Sequence, residues 1–217
     1  MRYFYSSGNN ITGLVLTGGR SVRFGSDKSR FVLPGEGQDM LLRTLALLRS
    51  VPGVAGLAVS CRTDQAAGVR ERIPAGVAVV EDAPHEISSP FFGVLAALAT
   101  LRGPLLVLSC DLPRMRVDIL TQLMEARRRV LKKLASSEEH PLRTAYVHTD
   151  GRVETLVSIY EAEALPFMEE SLHSGNWGLF SSVPRTRQTL LLCPEEEAFI
   201  NMNRPADYKK ALSVPRF

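Results

Sequence analysis

Residues 11–28 read ITGLVLTGGRSVRFGSDK. The stretch opens as an apolar strand, Ile11 to Leu16, and breaks at Gly18-Gly19 into a loop carrying Ser21, Arg23, Gly25 and Lys28. A leucine- and arginine-rich segment, Asp39 to Ser50, follows as a helix. A buried strand feeding a glycine-rich loop brings backbone N–H groups up to phosphates. Two adjacent glycines remove the Cβ atoms that would hold a ligand off the main chain. Arg23 and Lys28 add the positive charge that a triphosphate requires. Neither familiar phosphate pattern fits. The dinucleotide fingerprint needs G-x-G-x-x-G, and the P-loop needs Gly-Lys-Ser/Thr as one unit, whereas Ser26 and Asp27 separate Gly25 from Lys28.

Working outward, the 217-residue chain suits one large α/β domain or two small ones, and its 45% hydrophobic content provides a full core. A net charge of +3 is too small for a nucleic-acid-binding surface. Cys61, Cys110 and Cys193 lie far apart with no C-x-x-C pair, which gives neither a disulfide framework nor a zinc site and suits a reducing cytoplasm. No apolar run reaches membrane-span length, so no membrane association is expected. Residues 1–10 read as a lead-in, not a signal peptide.

Along the chain, strands are expected at Leu57–Val59, Val77–Val80 and Leu105–Leu108, with helices at Asp39–Ser50, from Thr63 or Asp64 (as cap) to near Arg72, and at Phe92–Leu101. The Val77–Val80 run reads as a strand buried on both faces. This alternation is that of an open, mostly parallel α/β sheet, whose ligands bind outside the strands' carboxyl ends. The Gly18-Gly19 loop, Asp82 and Asp111 all fall at such ends.

Val117–Leu134 is the next helix, and its Arg127, Arg128, Arg129, Lys132 and Lys133 read as a solvated face complementing the helix dipole, with an acidic partner as the alternative. Leu142–His148 and Val153–Tyr160 flank the hairpin signal Asp150-Gly151. Glu161–Leu172 reads as a helix, Gly175-Asn176-Trp177-Gly178 as the start of a short element, Gln188–Leu192 as a last strand, and Pro205 as the start of a final helix. His85, His140, His148 and His173 share no motif and suggest no catalytic pair, and Ser109 is in no G-x-S-x-G elbow.

Asp111, in the turn Cys110-Asp111-Leu112-Pro113 after a buried strand, is the strongest chemical candidate. Mg²⁺ prefers one or two carboxylates plus phosphate oxygens. The competing reading is an N-cap, but the following helix starts several residues later, beyond Pro113.

Residues 16–28 resemble the nucleotidyltransferase signature L-x-G-G-x-S-x-R-(M/F)-G-x-D-K, in the version found in the molybdenum cofactor guanylyltransferase (MobA) family, with Phe24 where Met is usual. Asp111 matches that family's C-D-x-P magnesium ligand, and Asp82 its V-x-E-D nucleotide contact. Ser89-Pro90-Phe91-Phe92-Gly93 resembles its G-P-L-x-G turn, with Ser for the first Gly. Asn201 and Asn203 in INMNRP resemble its N-x-N-T-P motif, with Arg204 for Thr. The resemblance implies a single domain over 1–217 of the nucleotide-diphospho-sugar transferase type, a Rossmann-like mixed sheet flanked by helices. Residues 11–115 would serve the nucleotide and 116–217 the acceptor. It further implies a nucleotide site of Leu16, Thr17, Gly18, Gly19, Lys28, Asp82 and Asp111, catalytic roles for Arg23, Lys28 and Asp111, and acceptor contacts at Asn201 and Asn203. The cofactor would be Mg²⁺ on Asp111. The substrates would be GTP and molybdopterin already carrying molybdenum or tungsten, and transient complexes with maturation proteins or a client apoenzyme are expected. The adjacent glycines resemble the guanylyl version, cytidylyl relatives more often reading Ala-Ala-Gly. A cytidylyltransferase, a sugar- or alcohol-phosphate nucleotidyltransferase and a non-catalytic cofactor-binding accessory protein stay open as alternatives.

Overall fold

A computed structural model describes residues 10–17, 28–82, 85, 87, 89–134, 140–202 and 207. The lead-in 1–9 and the final helix expected from Pro205 lie outside the described residues. The strands are β1 (Ile11–Leu16), β2 (Val54–Cys61), β3 (Ala78–Glu81), β4 (Leu105–Ser109), β5 (Arg143–Val147), β6 (Val153–Tyr160) and β7 (Gln188–Leu192). The helices are α1 (Met40–Arg49), α2 (Thr63–Arg70), α3 (Pro90–Leu101), α4 (Val117–Lys133) and α5 (Leu165–His173). The strands make one seven-stranded sheet in the order β3-β2-β1-β4-β6-β5-β7. Among them β6 alone runs against the rest, pairing antiparallel with both β4 and β5. The mostly parallel, mixed sheet expected from the sequence is the one observed.

Both faces of the central strands are covered, which is why they read as largely apolar runs. On β1, Ile11 and Val15 pack with α1 residues Leu41, Leu45 and Leu48 and with α4 residues Ile119, Leu120 and Leu123. Leu14 and Leu16 face the other way, toward Phe91, Val94 and Leu98 of α3 and Met168 of α5. Each such aliphatic side chain contributes roughly 1.5–3 kcal/mol by leaving water.

The connections set the position of the site. From β1 the chain steps outward through α1 and α2 to β2 and β3, then returns by α3 on the opposite face to β4, which pairs with the free side of β1. Strand order therefore reverses between β1 and β4. In open α/β sheets the ligand crevice forms at such a switch, outside the carboxyl ends.

Several local expectations are corrected. β3 is an edge strand, and of its residues only Val80 is buried, so its apolar run is not covered on both faces. The N-cap of α2 is Arg62, with Thr63 already helical and Asp64 in the first turn. The helix expected over 161–172 divides into a 3₁₀ turn, Ala162–Ala164, and α5, because Pro166 in the first turn of α5 lacks an N–H to continue the earlier one. Residues 175–184 form turns and no regular element. The hairpin at Asp150-Gly151 is present, with His148 N–H donating to Arg152 O at 2.8 Å and Gly151 at φ 84°.

Arg127 is the largest correction. It leaves the solvated basic face of α4, where Arg128, Arg129, Lys132 and Lys133 are exposed, and is buried against Glu161. Its Nε and Nη2 each donate to one carboxylate oxygen at 2.7 Å, fastening α4 to the end of β6. Removing one partner strands a buried charge, whereas replacing both with apolar groups does not. Arg127→Ala is expected to lose about 3–5 kcal/mol in denaturant unfolding, and Arg127→Met with Glu161→Leu far less. Equal losses from the two would contradict the paired-charge account.

Candidate functional site

Four strand ends, those of β3, β2, β1 and β4, are stitched side by side by three hydrogen bonds. Cys110 N–H donates to Leu16 O at 3.2 Å, Thr17 N–H to Ser60 O at 3.0 Å, and Asp82 N–H to Cys61 O at 2.9 Å. The ladder thus runs one residue past the ends of β1 and β4 and delivers Thr17 and Asp111 next to each other.

Asp111 is partly buried and faces Lys28, whose Nζ lies 3.7 Å from Asp111 Oδ2. The hydroxyl of Ser109, two residues earlier, donates to Asp111 Oδ1 at 2.6 Å and fixes the carboxylate's rotation. Lys28 opens a 3₁₀ turn, Lys28–Arg30, that is braced from α1 and from the end of α2. Arg72 donates to Ser29 O at 3.1 Å and to Asp39 Oδ2 at 2.5 Å, while Asp39 Oδ1 caps α1 by accepting from Leu42 N–H at 2.9 Å. One arginine therefore locks the turn bearing Lys28 to the helix that follows the glycine-rich loop.

A second group lies on the β2–β3 side. Ser60 Oγ donates to Asp82 Oδ1 at 2.5 Å, and Thr17 Oγ1 donates to Ser60 O at 2.8 Å. Burial pushes the Asp82 carboxyl up from its ordinary value, against the pull of the Ser60 hydrogen bond and the Arg62 charge. Gly93, in the first turn of α3, lies against this group. A Cβ there would overlap Ser60 Oγ and sit 3.1 Å from Asp82 Oδ1 and 3.2 Å from Leu16 Cδ2. Ser89 caps α3 by accepting from Phe91 N–H at 3.2 Å, and it donates to Trp177 O at 3.1 Å. Leu16 is buried with its side chain in the core, which leaves only its main chain at the crevice. The Cys61 thiol is pushed up to about 11, first by burial and then by the Asp82 and Glu81 charges, so it is no nucleophile.

The second half of the chain reaches the same place. Met202 N–H donates to Asp111 O at 2.8 Å, which sets Asn201 beside the Asp111 turn. The preceding 3₁₀ turn, Glu196–Phe199, is held by Arg114 on Glu197 at 3.1 Å and by Arg116 on Glu195 at 2.5 Å. Sequence reading missed Ser109 as a partner of Asp111, and missed Arg72, Arg114 and Arg116 altogether. Ser109 was recoverable from its i, i+2 spacing to Asp111. The arginines had no local signal. Gly18, Gly19, Arg23 and Asn203 lie outside the described residues. Lys28, Asp111 and Asn201 gather at β4, and Thr17 and Asp82 join through Ser60.

The profile of the MobA-like NTP transferase domain matches residues 13–188. The chain belongs to that family. Relatives of similar length agree. It is 27% identical to a probable molybdenum cofactor guanylyltransferase of a Nostoc species, covering 92% of this chain and 89% of that one. It is 28% identical to the molybdenum cofactor guanylyltransferase of Bordetella pertussis, covering 94% and 98%. The crystal structure of molybdopterin-guanine dinucleotide biosynthesis protein A from Archaeoglobus fulgidus matches with a TM-score of 0.68 at 21% identity, over 94% of this chain and 97% of that one. That of a 4-diphosphocytidyl-2C-methyl-D-erythritol synthase from Anaerococcus prevotii gives 0.61 at 11% identity, over 94% and 96%. At these identities the structures share the fold of this MobA-like domain, and the two proteins are named for different chemistries.

Gly93→Ala is expected to destabilise by about 1–3 kcal/mol, read as a lower Tm, because Ser60 must turn away from Asp82. Ser60→Ala added to it should recover part of the loss by removing the overlapping atom. An unchanged Tm for Gly93→Ala would contradict the close approach.

Proposed function

We propose that this protein is a molybdenum cofactor guanylyltransferase, moving GMP from GTP to the phosphate of molybdenum-bound molybdopterin and releasing pyrophosphate. The observation that carries the reading is the 3.7 Å approach of Lys28 to Asp111 in the crevice between β1 and β4, within a domain whose relatives bear that name. The work of such a site is positioning and charge neutralisation, since an acceptor phosphate is already anionic and needs no protein base. A phosphate oxygen of the acceptor bonds to the α-phosphorus in line, and the bond from the α-phosphorus to the bridging oxygen of the departing pyrophosphate breaks.

Each residue then has a part in that positioning. Lys28, with Arg23 and the amides of Gly18 and Gly19 in the motif loop, binds the triphosphate and offsets its charge. The main chain at Leu16 and Thr17 borders the nucleotide, and Asp82, held by Ser60, contacts it from the β3 side. Asn201 and Asn203 offer amides to the pterin acceptor from the segment tied to the Asp111 carbonyl. Asp111 would suit Mg²⁺, because it offers one hard carboxylate, oriented by Ser109 and only 16% exposed. Bound there, Mg²⁺ would supply charge neutralisation to the triphosphate. Among the described residues no helix is long and apolar enough to cross a membrane. No disulfide joins Cys61, Cys110 and Cys193, which suits work in the cytoplasm.

The test is thermal stabilisation by GTP, CTP, ATP and UTP, with and without Mg²⁺, on the wild type and on Asp111→Ala. GTP with Mg²⁺ should give the largest shift, about 2.7 kcal/mol at a hundredfold excess over Kd. Asp111→Ala should keep its fold, lose the Mg²⁺-dependent part of the shift and lose turnover. A CTP preference would replace the reading with a cytidylyltransferase, and no shift with any triphosphate would replace it with a non-catalytic accessory protein.

A further inference from the structure

A cluster that the transferase reading does not use lies at the carboxyl ends of β5 and β7. His148 follows β5 directly, Cys193 follows β7, and Glu196 opens the 3₁₀ turn beyond it. A ring nitrogen of His148, the Cys193 sulfur and a Glu196 carboxylate oxygen all lie within 4.8 Å of one another. Donor atoms that share a single ion at the usual Zn–N, Zn–S and Zn–O lengths stand about 3–4 Å apart. The three are thus gathered to about that spacing, with His148 and Glu196 closer still, so an ion would take the place of their hydrogen bond.

We propose that His148, Cys193 and Glu196 form a binding site for a borderline-soft divalent cation of the Zn²⁺ class. Nitrogen, sulfur and carboxylate oxygen together select such an ion over the hard Mg²⁺. His148 Nδ1 meets Glu196, while Nε2 meets Glu154 Oε1 at 2.8 Å. A histidine that presents one nitrogen to a metal commonly has the other held by a carboxylate, which fixes the tautomer and strengthens the ligand. Glu154 is in turn held by Arg152. His148 is 3% exposed, so its ring orientation is set by packing, including an edge-on contact with Phe199 at 5.5 Å between centroids. Cys193 is half-buried and Glu196 exposed, which leaves an entry path from solvent.

The backbone holds the same arrangement. Cys193 N–H donates to Val147 O at 2.9 Å, extending the β5–β7 ladder to the sulfur, and Thr149 N–H donates to Glu196 Oε1 at 3.3 Å. The carboxylates of Glu154 and Glu196 and the Cys193 sulfur gather around the His148 ring, with the Arg152 guanidinium on Glu154. Three protein donors leave one tetrahedral position for water. Such an ion cross-links the edge strand β7 to the hairpin. It also fixes the turn whose continuation donates from Met202 to Asp111. The inference does not depend on the transferase reading.

The experiment is Zn²⁺ titration of the apo protein against a chromophoric chelator, with Co²⁺ as a spectroscopic probe, in the Asp111→Asn variant so that the nucleotide-side carboxylate does not contribute. The expected result is one Zn²⁺ per chain, a thiolate-to-Co²⁺ charge-transfer band and a higher Tm with Zn²⁺. Cys193→Ser should abolish the band, and Cys193→Ser and Glu196→Gln should each weaken Zn²⁺ by about tenfold or more. Both side chains lie at least partly at the surface, so both variants should fold. No stoichiometric Zn²⁺, or Zn²⁺ affinity and Co²⁺ spectrum unchanged by Cys193→Ser, would overturn the proposal.

Discussion

The parallel pairing of β1 with β4, carried past the strand ends by Cys110 N–H on Leu16 O, is the contact on which the site depends. Because β2 and β3 are laid down on one side of β1 and β4 on the other, the strand order reverses at this pair. Segments nearly a hundred residues apart in sequence therefore end next to each other. Thr17 leaves one strand and Asp111 the other, and Lys28 reaches across to the Asp111 carboxylate. Every other feature of the site serves to keep that juxtaposition. Ser109 sets the carboxylate's rotation, Arg72 secures the turn bearing Lys28, and Gly93 lets α3 come close enough for Ser60 and Asp82 to meet.

The second half of the chain is coupled to the same point by apolar packing, with Ala198 and Phe199 buried in one cluster with Cys110, Leu112 and Met115, and by charge. Arg114 and Arg116 leave the turn after Asp111 and take hold of Glu197 and Glu195 on either side of Glu196. Exposed pairs of this kind are individually weak, and Arg116 with both its partners is well exposed. Their effect is to give direction to a segment that the Met202–Asp111 hydrogen bond then fixes. The buried Arg127–Glu161 pair is of a different sort. Two short charge-assisted bonds in a nearly dry setting link α4 to the end of β6, and either residue alone would be costly.

What could be read in the sequence follows from how local its cause is. The runs Ile11–Leu16 and Leu105–Leu108 were legible as strands because both of their faces are covered, which leaves Thr12 as their one polar residue. The Asp150-Gly151 turn was legible because the backbone demands those residue types, whereas the start of α3 was read at Phe92 and lies at Pro90, with Ser89 as its cap. The Val77–Val80 run misled because apolar composition does not distinguish a central strand from an edge strand leaning on α2 and α3. Arg127 misled because its partner, Glu161, sits on another element, and a basic run on a helix reads as a wet face. The pairing of Lys28 with Asp111 was implied by the family motifs, and its geometry needed the sheet order. Arg72, Arg114, Arg116 and the His148–Cys193–Glu196 group were illegible for one reason: their partners come together only through tertiary pairing. A search for cysteine pairs passes over a cluster that draws its donors from three separate elements.

The central claim is that the crevice at β1 and β4 moves a nucleotidyl group, and it is tested most directly by following the phosphorus. The purified protein is incubated with Mg²⁺, molybdenum-bound molybdopterin and GTP labelled at the α- or the γ-phosphate. The account predicts that α-label enters the pterin product, with an equal amount of pyrophosphate carrying the γ-label. Transfer of γ-label to the pterin, or release of pyrophosphate with no α-label on the pterin, would contradict it.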